Sequence, residues 1–273
     1  MNPSQANQDA SFPFVPILSS SADPGSPVSV SSILESYGAK RNFDLPGEVH
    51  LCLISLEADE PVIASCHELL TAKERDRAQK FLSAPAAHRF LICRAALRKI
   101  IRGFHPELPS DFEVSSGPFG KPFLDFPEQE SLIRFNVSHS GDFALLGFSR
   151  DAEIGVDIEE RRPLDEMLGI ARRVFTDPEV EQLLSLSETE RRAFFYRLWT
   201  CKEAVLKAAG TGFHRDPKSL CLSKEMEKLH RQSGQLSFDG QIIQWGTHPP
   251  GYAMSWAIRS SASPTIRWID TLG

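Results

Sequence analysis

The chain has 273 residues and a formal net charge of -6, with 41% hydrophobic and 24% charged residues. That length suffices for one large domain or two small ones around a real core. The acidic balance argues against a protein that wraps nucleic acid through overall charge, while leaving room for a local basic groove around one phosphorylated ligand. No apolar run reaches the length that crosses a bilayer. The N-terminus lacks the basic and long apolar regions of a secretory signal. It has no Lys or Arg before Lys40, unlike an Arg-rich presequence. Cys52, Cys66, Cys93, Cys201 and Cys221 form no C-x-x-C pair. They give no zinc or redox signature and fit a reducing compartment, so the expected location is cytoplasmic.

Residues 1–45 are rich in Ser, Pro and Ala without sustained periodicity and read as a flexible extension. "EVHLCLISL" opens the folded part as a strand. "TAKERDRAQKFL" starts a helix under a Thr cap. "AHRFLICRAALRKIIRGF" is amphipathic, with Phe90, Leu97, Ile100 and Ile101 on one side, Arg94, Arg98 and Arg102 on the other, and Gly103 placed to end it. "FEVSSGPFGKPFL" reads as a strand, a turn and an extended segment. "IRFNVSHS", "FALLGFS" and "EIGVDIEE" suggest an antiparallel run. "PEVEQLLSLS" is a helix, and "ETERRAFFYRLWTCKEAVLKAAG" a long one ending at Gly210. "GQLSFDG", "QIIQW" and "YAMSWAIR" are short strands. "AQKFLSAP" and "ARRVFTDP" echo each other ahead of the two long helices, a faint sign of two similar halves.

The acids of "IGVDIEE" raise a physical question. On a strand, Asp157 and Glu159 share a face, and bare carboxylates that close repel each other. Solvent on an edge strand relieves this; so does a hard divalent cation that takes carboxylates, phosphate oxygens and water. Glu203 in "WTCKEAVLKAAG" supplies a third acid. Lys207 lies four residues on, which gives either a surface ion pair or a cation beside a phosphate, with Lys202 a second such cation. "FGKPFL" is not a P-loop, because Pro122 stands where Ser or Thr would hold Mg²⁺. Ser138 and His139 of "FNVSHS" face opposite ways on a strand, a poor geometry for nucleophile and base; at a strand end both can donate to an anion.

In order, "FGKPFL", "FNVSHSGDFALLGF", "IGVDIEE" and "FYRLWTCKEAVLKAAGTGF" resemble the phosphopantetheinyl transferase superfamily, in its larger surfactin-synthetase-activating type. Weaker similarity in "KERDRAQKFLSAPAAHRFLICRAALR" extends it over most of Glu48 to about Arg259. The resemblance implies an α+β fold of two similar halves, an intramolecular pseudo-dimer with the active site at their junction, spanning residues 46–152 and 153–273. It implies a monomer that moves the 4′-phosphopantetheine arm of coenzyme A onto a serine of an apo acyl or peptidyl carrier protein, releasing adenosine 3′,5′-bisphosphate. Asp157, Glu159 and Glu203 are then implied as ligands of Mg²⁺, or Mn²⁺. Glu203 is implied as the base, directly or through a water, and Lys207 as the group that meets the leaving phosphate. Lys121, Ser138, His139 and Lys202 are implied as pyrophosphate or nucleotide contacts, and Arg89 as the grip on the 3′-phosphate. The family carries two lysines ahead of "KF"; here Arg77 fits one position and the other falls on Glu74, beside Lys73.

An acidic carrier would need local basic patches on this acidic chain. Arg172–Arg173 and Arg191–Arg192 are candidates, with a solvated helix face as the plainer reading of each pair. Nucleic acid and membrane are not expected partners. Two other readings compete: a hydrolase of nucleotide pyrophosphates, against which Glu203 and Lys207 with the upstream series count, and an inactive module that binds coenzyme A or a carrier, against which retention of all three acids counts.

Overall fold

The computed structural model describes residues 26–36, 47–125 and 133–269. Two sheets carry the fold. The first starts with β1 (Val28–Ser29), α1 (Val30–Ser36), β2 (Glu48–Ser55), α2 (Glu60–Leu69), α3 (Ala72–Gln79) and α4 (Ala84–Phe104). A small hairpin of β3 (Val114–Ser116) and β4 (Pro122–Leu124) follows, then β5 (Arg134–Ser140) and β6 (Phe143–Ser149). The second comprises β7 (Ile154–Glu160), α5 (Met167–Val174), α6 (Asp177–Ser185), α7 (Glu188–Ala209), α8 (Met226–Leu229), β8 (Gly234–Phe238), β9 (Gln241–Gly246) and β10 (Tyr252–Arg259). A last strand, β11 (Thr265–Trp268), returns to the first sheet and lies parallel to β2.

Both sheets follow one plan. In each, an opening strand leads into helices and then a hairpin, and the opening strand pairs antiparallel with the hairpin's second strand. The orders are β2-β6-β5 and β7-β10-β9. Alternate residues of β2 serve different cores: Cys52 and Ile54 face the first helical layer, while Val49, Leu51 and Leu53 face the second sheet. Val156 and Ile158 meet them in that inter-sheet core. The mixture of helix and sheet makes this an α+β protein. Among the described residues no helix is long and apolar enough to cross a membrane.

The helical layers repeat one device. Thr71 and Thr176 cap α3 and α6 in capping boxes whose third-position acids are Glu74 and Glu179. Both acids are buried, and each pairs with a cation on the following long helix: Glu74 with Arg98 of α4, Glu179 with Lys202 of α7. This correspondence differs from the "AQKFLSAP"/"ARRVFTDP" echo, which joins α3 to α4 in one place and α5 to α6 in the other.

Several expectations are corrected. Residues 26–36 lie in the segment read as a flexible extension, yet Val28, Val30 and Ile33 are buried in the first core; residues 1–25 and 37–46 lie outside the described residues. β7 does not continue the sheet of β5 and β6 but pairs with β10 across seven residues from Ile154 to Glu160. Residues 265–268 belong to the first sheet rather than the second. Arg98 is buried rather than on a solvated face, since Glu74 and the carbonyls of Ser110 and Phe112 receive its guanidinium. Gly103 does not end α4, which runs on to bury Phe104 against Phe148, with rings 5.7 Å apart.

α7 stops where expected. Gly210 adopts the left-handed conformation at φ 70°, and its N–H returns to the carbonyls of Leu206 and Lys207. Ala at this position should cost about 1 kcal/mol, read as a lower urea midpoint at constant slope. An unchanged midpoint would show that the cap carries no conformational strain for other residues.

Candidate active site

The site forms where β5, β7 and α7 meet. β5 and β7 lie side by side without a backbone ladder between them. Side chains at every second position of β5 bridge the gap: Asn136 Oδ1 accepts from Val156 N at 3.0 Å, Ser138 Oγ donates to Asp157 Oδ1 at 2.8 Å, and Ser140 Oγ donates to Glu159 Oε2 at 2.7 Å while accepting from Glu160 N at 3.2 Å. The period of two puts all three on one face. The carboxylates of β7 are thereby aimed by hydroxyls of another sheet.

α7 approaches β7 with unusual closeness. A Cβ on Gly155 would stand 2.1 Å from Ala204 O and 2.2 Å from Ala208 N, so only a glycine strand position admits the helix. That contact brings the turn from Glu203 to Lys207 over Asp157 and Glu159. Lys207 Nζ lies 2.6 Å from Asp157 Oδ1 and 3.2 Å from Ser138 Oγ. The lysine thus pairs with the strand acid rather than with Glu203, four residues before it on the same helix.

Electrostatics follow from this crowding. Burial pushes the Glu203 carboxyl up to about 7; Lys207 opposes the rise, and Asp157 and Glu159 add to it. Glu159 is also raised, first by burial and then by Asp157, against Ser140 and Lys207. Burial alone would lower Lys207, but Asp157, Glu203 and Glu159 outweigh it and hold the ammonium above its usual range. His139 is lowered by desolvation and then by the Lys207 and Arg89 cations. These causes favour the neutral form of its ring.

The chemistry of these side chains, though not their present placement, suits a divalent cation. Asp157 is 2% exposed, and its Oδ2 is buried with no hydrogen-bond partner. Three carboxylates within each other's field offer the hard oxygen ligands Mg²⁺ prefers. Among the described residues no group of three or more His, Cys, Asp and Glu side chains is placed so that it could hold a metal ion, and the Lys207 ammonium already faces one oxygen of Asp157.

Comparison with known proteins identifies the family. Residues 153–257 match the model of the 4′-phosphopantetheinyl transferase superfamily, and residues 58–150 match that of the 4′-phosphopantetheinyl transferase N-terminal region. The 4′-phosphopantetheinyl transferase Sfp of Bacillus subtilis is 31% identical over 190 residues, 69% of this chain and 77% of that protein. The 4′-phosphopantetheinyl transferase HetI of Nostoc is 36% identical over 168 residues, 62% of this chain and 71% of that protein. The chain belongs to the 4′-phosphopantetheinyl transferase superfamily. A Synechocystis relative is 41% identical over 154 residues, a match that spans 56% of this chain and 62% of that relative.

The residues singled out by family resemblance divide into three groups. Asp157, Glu159, Glu203, Lys207 and Ser138 come together as described. Arg89 and His139 stand near them, close enough for both Arg89 and Lys207 to act on the imidazole. Lys121, Arg77 and Lys202 are engaged elsewhere. Lys121 of the β3–β4 hairpin donates to Glu153 at 2.5 Å and to the Ala208 carbonyl at 3.0 Å. Arg77 lies over the Phe90 ring at 5.2 Å, and its neighbour Lys73 pairs with Glu113 at the surface. The expectation that Lys202 touches pyrophosphate is corrected: it is buried on another face of α7, 2.6 Å from Glu179.

Sequence reasoning missed Ser140, Asn136 and Gly155. The alternation of polar residues at 136, 138 and 140 was a readable signal of a strand with one polar face; nothing in the sequence named what that face would meet. Of the two arginine pairs, Arg172 and Arg173 are exposed, whereas Arg191 spends its guanidinium on the carbonyls of Leu183, Leu184 and Leu186 at the end of α6.

Proposed function

We propose that this chain transfers the 4′-phosphopantetheine arm of coenzyme A to a serine of an apo acyl or peptidyl carrier protein and releases adenosine 3′,5′-bisphosphate. The observation that carries the reading is geometric: Lys207 Nζ and Ser138 Oγ both meet Asp157 Oδ1, Ser140 Oγ holds Glu159, and the half-buried Glu203 stands in the field of both acids. Burial and the two neighbouring acids raise the Glu203 carboxyl, which makes it a stronger proton acceptor than an ordinary glutamate.

In this reading Glu203 receives the proton of the carrier serine as its oxygen attacks the phosphorus that bears the pantetheine. The bond from that phosphorus to the bridging oxygen breaks. Lys207 stands ready to neutralise or protonate the leaving phosphate. Asp157, Glu159 and Glu203 would hold Mg²⁺, or Mn²⁺, which when bound supplies positive charge to carboxylates and pyrophosphate together. Ser138 and Ser140 keep two of those carboxylates aimed. His139 and Arg89 stand beside the acids, with Arg89 as the fork for the 3′-phosphate. Lys121 would reach the nucleotide only by leaving Glu153, and Arg77 only by leaving the Phe90 ring.

The shared plan of the two sheets supports a further part of the reading. The chain is an intramolecular pseudo-dimer, with residues 46–152 as one half and 153–273, less its returning last strand, as the other. The site lies at their junction, and the working unit is a cytoplasmic monomer. The carrier docks through local patches that include Arg172, Arg173 and Arg192, against the overall charge.

The test supplies coenzyme A, Mg²⁺ and a panel of apo carrier proteins and reads the mass of each carrier. A gain equal to the phosphopantetheine arm on a serine is the expected result. Coenzyme A binding without any modified carrier would replace this reading with a binding module, and nucleotide cleavage alone would replace it with a hydrolase.

A further inference from the structure

We propose that the buried Glu179–Lys202 pair is a positioning latch for Glu203, an inference that rests on the transferase reading. The two side chains are 0% and 3% exposed. Lys202 Nζ donates to Glu179 Oε2 at 2.6 Å, to Pro217 O at 3.2 Å and to Val174 O at 3.3 Å. Glu179 accepts from Thr176 N and Leu222 N, each at 2.8 Å. Five bonds thus tie the end of α5, the start of α6, the middle of α7 and the segment 217–222 to one buried point. Each polar atom has a fixed direction, so the set resists rotation of α7 about its own axis.

Glu203 is the next residue along α7, about 100° around the helix. The opposite constraint comes from β7, whose Gly155 lets the strand touch the backbone at Ala204 and Ala208. The turn that carries Glu203 and Lys207 is therefore gripped from two sides. Net stability does not account for the latch, because an apolar pair of similar volume serves a core as well as a buried ion pair. The first helical layer makes the same kind of pair between Glu74 and Arg98, followed by Lys99. There the device fastens a helix that has no acid next to the paired cation, so the pair itself is a way of fixing a helix and not a contact with ligand.

The experiment compares wild type with Lys202→Met, Glu179→Leu, Glu179→Gln and the double variant Glu179→Leu/Lys202→Met. It measures melting temperature, kcat and KM for coenzyme A, and Mn²⁺ affinity by electron paramagnetic resonance. The double variant should melt near wild type, yet lose roughly tenfold or more in kcat with KM for coenzyme A unchanged and Mn²⁺ bound more weakly. Glu179→Gln, which keeps the side chain's volume, should show the same split on a smaller scale and serves if the apolar variants do not fold. Wild-type kcat and Mn²⁺ affinity in a folded variant would overturn the latch. So would a rise in KM for coenzyme A confined to Lys202→Met, which would return Lys202 to the ligand. A wild type that binds Mn²⁺ but transfers nothing would remove the transferase reading and leave the Mn²⁺ comparison to decide the latch; one that does neither sinks both.

Discussion

Glu203→Gln should cut transfer by roughly 10²–10⁴-fold while making the metal-free protein more stable at pH 8. The two effects share one cause. The folded carboxyl titrates at about 7 against an ordinary value of 4.5. Between those values the folded chain keeps a proton that the unfolded chain has released, so wild-type stability falls as pH rises through this window. Glutamine has no charge to desolvate and escapes the fall. Its advantage should be absent below about pH 4 and reach about 1–2 kcal/mol above pH 7, discounted for the partial exposure of the site. Urea unfolding in a chelator at pH 4 and pH 8, with carrier modification at pH 8, tests both signs. A variant with normal turnover, or one less stable than wild type at pH 8, would remove Glu203 from the role given to it.

Gly155→Ala should be as damaging to activity, by a different route. The added methyl would fall 2.1 Å from one helix backbone atom and 2.2 Å from another. Neither is the end of a flexible side chain, so α7 as a whole must move. Overpacking of this kind costs about 1–3 kcal/mol, occasionally more. The displaced helix carries Glu203 and Lys207 with it, and a shift of about 1 Å can lose 10²-fold in rate. The expected result is a lowered melting temperature together with a collapse of kcat in protein that remains folded at the assay temperature. Wild-type rate and melting temperature would mean that strand and helix separate here without consequence.

The contrast between these two residues shows what the sequence makes legible. Glu203 was open to reading because its chemistry announces itself: an acid and a lysine one turn apart on a helix, downstream of two acids on a strand. Gly155 sits in the same quoted stretch as Asp157, yet a glycine in a strand says only that something approaches, not what. Helix caps were readable for a similar reason to the acids. Thr71 and Gly210 act within a few residues of themselves, so local sequence contains the whole interaction. Lys202 was misread because its partner Glu179 lies 23 positions away and is chosen by packing. The same holds for β7, whose alternation suits either sheet, and for Val28, Val30 and Ile33, set in a Ser- and Pro-rich stretch that hides their burial. Local signals gave the longest helices, the central strands and the acids, but not α1, α2 or β11. Which faces meet was decided by tertiary contacts that no window of sequence contains.

The returning strand β11 bears on how the molecule holds together. It lies parallel to β2 from Thr265 opposite Glu48 to Trp268 opposite Leu51, and Ile269 N continues the ladder to Leu51 O at 2.7 Å. The chain therefore passes between the sheets twice, once from β6 to β7 and again from β10 to β11. A cut in the first passage would not free two independent pieces, because the downstream piece carries a strand that completes the upstream sheet. The arrangement is that of a split protein whose fragments complement each other by strand donation, and it resists a simple hinge at one linker.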